Sequence, residues 1–222
     1  MHTPEWARHM FSNIRYWLQQ KATYLVPSYG SRLFTQEMEQ TYVQEFLPEE
    51  INGFAPFPEK WFLGEQNVFA YRLWLDIHIE RLDELLPFIS RSFPDAGKDF
   101  LDWRRAKNAR GESIHYALNL QFNGVQILLF TNSVEFLKAL DALRVEPNPP
   151  WIAVPICEPY FLYRQQGDSE FWVNTYWSPF WEELSQEKRE AYLAECGAPN
   201  DWARALLEMS TPLPPFISDP EE

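Results

Sequence analysis

The run Ser113-Ile114-His115-Tyr116-Ala117-Leu118-Asn119-Leu120-Gln121-Phe122-Asn123-Gly124-Val125-Gln126-Ile127-Leu128-Leu129-Phe130-Thr131 decides how this chain folds. Ile114, Tyr116, Leu118, Leu120 and Phe122 alternate with His115, Asn119 and Gln121, the period of a β-strand. Asn123-Gly124 is a strong two-residue hairpin signal, because both residues tolerate the positive φ that tight hairpin turns need. The return strand carries Val125, Ile127 and Leu129 on one face and Gln126, Leu128 and Phe130 on the other, so both faces are expected to be covered. Strands are therefore predicted at 113–122 and 125–131.

Working outward, Phe69, Tyr71, Leu73, Leu75, Ile77 and Ile79 alternate with Arg72, Asp76, His78 and Glu80, which predicts a strand over 68–79. A weaker strand is predicted at 100–106. Leu82, Leu85, Leu86 and Ile89 recur at helical spacing, with Pro87 expected to bend or divide that helix. Ser133 is placed to cap a helix with Phe136, Leu137, Leu140 and Leu143 inward. The order β-α-β-β-β-α implies an α+β fold: an antiparallel sheet of about four strands with helices packed on it.

The flanks read as follows. N-terminal helices are expected within 4–47, one starting at Thr3-Pro4 and one capped by Thr35 and running to Phe46. Residues 48–66 are irregular, with Phe54, Phe57, Trp61 and Phe62 either pinning the loop or offering a partner-binding surface. The Pro-rich connector 146–160 contains Trp151, Ile152, Val154 and Ile156, so it is expected to cross the core. A helical portion at 160–209 follows, with one helix from Asp168 to Trp177 ended by Pro179 and another from Ser185 to Gly197. We expect a single domain over 1–209, its sheet region at 66–145, and an extended acidic tail at 210–222.

The chain carries a net charge of −13. Residues 35–65 hold one basic and seven acidic side chains, and residues 158–222 hold four basic and thirteen acidic. This balance repels a phosphate backbone and attracts basic proteins, so no nucleic-acid partner is expected. Met1–Gln20 has no unbroken apolar core of a signal peptide, and no stretch reaches the ~20 apolar residues of a membrane span. No membrane association and a cytoplasmic location are the expectations. Cys157 and Cys196 lie outside any C-x-x-C spacing.

Chemistry is sparse. No phosphate-binding loop, nucleophile elbow or H-E-x-x-H is present, and the chain has only eight glycines. No cofactor, no metal and no enzymatic activity are expected. The one alternative is the strand face of Asp76, His78 and Glu80, joined by His115 if the hairpin pairs nearby, as a metal or acid/base site. The basic cluster Arg104, Arg105, Lys107 and Arg110, beside Trp103, reads as a solvated turn.

The densest aromatic segment is Phe171-Trp172-Val173-Asn174-Thr175-Tyr176-Trp177-Ser178-Pro179-Phe180-Trp181, inside the more acidic block. An α-helix buries one stripe, so either at least one of Trp172, Tyr176, Trp177 and Trp181 lies near the surface or the helix is central and buried all round. With Glu170, Glu182 and Glu183 around them, these residues are the predicted partner-binding set. The run from Gly167 to Trp172 and Ser178 to Trp181, followed by Leu184-Ser185 and the Glu187–Leu193 helix, resembles segments of small acidic immunity proteins of bacterial polymorphic toxin systems. That resemblance implies a toxin-neutralising protein that covers the active site of a cognate toxin domain. Acidity and aromatic surplus alone leave a second reading open, an adaptor, chaperone or scaffold domain.

Overall fold

A computed structural model describes residues 32–43, 54–94, 96 and 104–210. The predicted helix at Thr3-Pro4, residues 44–50, the start of the 100–106 strand and all of the tail beyond Ser210 lie outside the described residues.

The fold is α+β, built on a five-stranded antiparallel sheet in the order β1-β2-β5-β4-β3. The strands are β1 (Trp61–Phe62), β2 (Tyr71–Ile77), β3 (Arg104–Lys107), β4 (Ser113–Gln121) and β5 (Gly124–Thr131). The strand missed in the sequence is β1, whose two residues show no period inside a Pro-rich loop. The described helices are α1 (Arg32–Thr41), α2 (Leu82–Ser92), α3 (Val134–Ala142), α4 (Pro150–Ala153), α5 (Asp168–Trp172), α6 (Ser178–Glu182), α7 (Gln186–Glu195) and α8 (Asn200–Ser210). Thr35 is inside α1 rather than its cap, and α1 stops at Thr41, short of Phe46. Ser133 and Ser185 cap α3 and α7 as expected, accepting from Phe136 N and Lys188 N. Pro87 lies exposed inside α2 without dividing it.

Both sheet faces are covered. On one, Leu73, Leu75, Ile77, Ile114, Tyr116, Val125, Ile127 and Leu129 pack against Leu85, Ile89, Phe136 and Leu140 of α2 and α3. On the other, Leu128 and Phe130 lie under Met38 of α1 and Tyr42, the residue after it. The rest of that face carries the C-terminal helices, and Trp74 packs against both of its coverings.

The hairpin turn sits one residue earlier than Asn123-Gly124. Gln121 pairs with Gly124, so Phe122 and Asn123 form the loop, at φ 52° and 53°. Gly124 is needed in the strand for a different reason. A Cβ there would sit 2.1 Å from Asn148 Nδ2 and 2.9 Å from Ile77 O. The strained φ of Phe122 is offset by packing of its ring 6.2 Å from Trp172.

The C-terminal aromatic segment departs most from expectation. It does not end at Pro179; it runs as α5, then a π-helical turn over Val173–Trp177, then α6 to Glu182. A wider turn moves the preceding carbonyls away from the Pro179 ring. It also changes which side chains align. In an α-helix residues five apart diverge by ~140°; a π turn brings them onto one side. Trp172 and Trp177 therefore stack at 6.3 Å and 13°, and Trp177 and Trp181 at 5.0 Å and 20°. All three rings are fully buried.

Trp177→Ala should lower unfolding stability by about 3–5 kcal/mol, as expected for emptying a buried aromatic site. Phe171→Ala, one helix face away and 45% exposed, should cost under about 1 kcal/mol. Urea unfolding followed by circular dichroism measures both, and equal losses would contradict the assigned faces.

Candidate functional site

Of the predicted partner-binding residues, Trp172, Tyr176, Trp177 and Trp181 are core side chains, between 0 and 2% exposed. The reading in which one of them reaches the surface is corrected by the π turn described above. Trp172 Nε1 donates to Asp76 Oδ2 at 2.9 Å, and Trp181 Nε1 donates to Ser210 Oγ at 2.7 Å. Glu170, Glu182 and Glu183 are exposed. The same helical segment does present a surface, made by Phe171, Asn174 and Thr175.

Eight large apolar side chains are exposed among the described residues, and four of them, Ile156, Tyr160, Phe161 and Tyr163, fall within eight positions. Ile156 is 98% exposed at the turn after α4, so the connector does not bury all its apolar residues as expected. The other three lie on a 3₁₀ helix, Pro159–Arg164. Three residues per turn split this helix into three faces. Leu162 points into the core, fully buried. Tyr160 and Tyr163 form the second face, and Phe161 with Arg164, its guanidinium 5.7 Å from the Phe161 ring centre, forms the third. Tyr160 Oη donates to the carboxylate of Glu208, and Glu158 is exposed beside it. In the sequence this segment falls where the connector 146–160 meets the helical portion 160–209. The signal for it was Tyr160-Phe161-Leu162-Tyr163 after a proline, four apolar residues in a row that one stripe cannot bury.

A second feature is a cleft of about 420 Å³ at the sheet edge. Trp61 pairs directly with Arg72 across β1 and β2, and Trp74 lies two residues further along the same face. The Arg72 guanidinium sits 5.2 Å from the centre of the Trp61 ring. Phe171 stands edge-on to Trp74, 5.9 Å away at 83°. Glu59, Asn174 and Thr175 complete the lining. Thus the irregular loop divides: Phe54 and Phe57 are half-buried, whereas Trp61 and Phe62 are exposed.

The alternative catalytic face does not assemble. β2 ends at Ile77, so His78 and Glu80 leave the strand; His78 Nδ1 accepts from Glu80 N at the start of a short 3₁₀ turn. Asp76 is fully buried, accepting from Trp172 and, at 3.3 Å, from Asn148 N. His115 is buried near Phe130, ~13 Å along the sheet from the Asp76 level. Its Nδ1 is 2.8 Å from Tyr42 Oη, which donates to Phe130 O, and its Nε2 is 3.5 Å from Glu37. Among the described residues no group of His, Cys, Asp and Glu is placed to hold a metal ion, and no helix is long and apolar enough to cross a membrane. In the basic cluster, Arg105 faces Glu37, and Arg110 pairs with Glu112 and Glu135. Cys157 and Cys196 are free thiols. Comparison of the chain with protein-family models, curated proteins and solved structures gives no match.

Burial pushes the Asp76 carboxyl up to about 7, against the pull of its Trp172 and Asn148 hydrogen bonds. Burial, aided by Arg105, holds the His115 imidazole down at about 3. The two groups oppose one another. Asp76 binds its proton more tightly when folded, so its contribution is full below its ordinary 3.8 and is lost as pH rises to about 7. His115 binds its proton less tightly when folded, so its contribution is full above its ordinary 6.5 and is lost as pH falls towards 3. Between pH 4 and 6.5 the slopes, each about 1.4 kcal/mol per pH unit, cancel. Relative to the unaltered protein, Asp76→Asn should gain stability with rising pH across that window and His115→Gln should lose it. Urea titrations at successive pH values would show parallel curves if neither group titrates this way.

Proposed function

We propose that this chain is a cytoplasmic immunity protein that binds and blocks a cognate, basic bacterial toxin domain through an acidic, aromatic-anchored surface. The contact is made by Ile156, Tyr160, Phe161 and Tyr163, with Glu158, Glu182 and Glu208 supplying charge. The observation that carries the reading is the clustering, within 156–163, of half the exposed large apolar side chains found among the described residues, at the start of the block with thirteen acidic and four basic residues. Aromatic anchors in a charged rim are the residue types that dominate binding energy at protein interfaces. The carboxylates steer a basic partner, so association slows as salt rises. Glu170 and Glu183 extend the acidic rim, while the buried tryptophans act by holding the helices in place. On this reading the chain acts by occlusion and does no chemistry of its own.

Co-expression with the product of the adjacent upstream gene tests this directly. The expected result is a stable complex and relief of that product's toxicity. Phe161→Asp or Ile156→Asp should weaken the complex at least about tenfold while leaving the circular dichroism spectrum unchanged. A neighbouring product that is not toxic, or a complex indifferent to both substitutions, would count against the proposal.

A further inference from the structure

We propose that the cleft between β1–β2 and the π turn is a binding site for a neutral saccharide, separate from the surface at 156–163. Three observations lead there. The first is the ring geometry. Trp61, Trp74 and Phe171 come from three separate elements, and the planes of Trp74 and Phe171 cross at 83°. Perpendicular rings cannot sandwich a flat heteroaromatic group. They offer one face and one edge to a thick, puckered ring whose apolar sides are C–H groups.

The second is charge. The protein as a whole carries −13, but the cleft lining holds one carboxylate, Glu59, and one guanidinium, Arg72. A free cation meets Arg72 and a free anion meets Glu59, so neither is selected. A polyhydroxylated ligand suits both, since each hydroxyl donates and accepts. It donates to Glu59 and does either with Asn174 and Thr175, beside the Arg72 guanidinium.

The third is size and rigidity. About 420 Å³ lies within the range of small-molecule sites and exceeds what a single ion needs. Trp74 is held from two sides, by the core under α1 and by the C-terminal core. Arg72 is fixed over Trp61. The floor is thus preformed, which lowers the ordering cost of binding.

The test uses the full chain and uncharged probes: cellobiose, maltose and N,N′-diacetylchitobiose, followed by a glycan array. Calorimetry and saturation-transfer NMR are the readouts, with uridine and inorganic phosphate as controls. At least one saccharide should bind at about millimolar Kd or tighter. Phe171→Ala and Trp61→Ala, both at exposed rings, should each weaken it at least about tenfold. Asn174→Ala, at an exposed position of the lining, gives the same readout should either aromatic variant misfold. Absence of binding to every probe and array glycan overturns the proposal. So does binding that survives all three substitutions, or preference for uridine or phosphate. None of these outcomes bears on complex formation through 156–163.

Discussion

The hydrogen bond from Trp172 Nε1 to Asp76 Oδ2 ties the C-terminal helices to the sheet. Asp76 is a carboxyl in a place where a carboxylate is costly, fully buried on β2 opposite Gln126. Around it the elements close in. Asn148 N donates to the same Oδ2, and the absence of a side chain at Gly124 admits the Asn148 amide. Phe122 in the hairpin loop packs on the same Trp172 ring. One buried acid thus sets where the connector crosses the sheet, where the hairpin turns and where the tryptophan stack begins.

The π turn follows from that seat. With Trp172 fixed over Asp76, Trp177 and Trp181 align behind it only if one turn is widened. The widened turn puts Val173, Tyr176 and Trp177 inward and leaves Phe171, Asn174 and Thr175 to face the sheet edge. The outer face of the cleft is therefore a by-product of packing the inner one. π turns occur often at functional sites for this reason: they re-aim side chains without ending the helix.

Much of the sheet is legible, because period-two alternation in 71–77 and 113–121, and an apolar run directly after a hairpin signal in 125–131, are local properties of the residues. The caps at Ser133 and Ser185 were legible for the same reason. What was hidden depends on tertiary contact. β1 exists only because Trp61 and Phe62 meet Arg72 and Tyr71 of β2. The turn slips off Asn123-Gly124 because Asn148, distant in sequence, requires Gly124 inside the strand. The aromatic segment at 171–181 is too apolar for one α-helical stripe, and of the two outcomes that leaves open the buried one holds for Trp172, Tyr176, Trp177 and Trp181, because the helix itself changes pitch. The same surplus argument applies to Tyr160–Tyr163, and there the surplus does reach the surface.

That contrast explains why exposure sits where it does. Both sheet faces are covered, and among the described residues the exposed aromatic rings emerge at edges and junctions. The 3₁₀ helix at Pro159–Arg164 is such a junction. Its threefold wheel sends Leu162 inward and leaves two of three faces outside. Leu162 anchors the segment, Tyr160 is tied to Glu208 on α8, and Arg164 rests on Phe161. These rings are held in place before any partner arrives, and rings that lose little freedom on contact make efficient anchors. An α-helix of the same sequence would have put Phe161 and Tyr163 ~160° apart, against ~120° in the 3₁₀ helix, and shown a partner less of the pair at once.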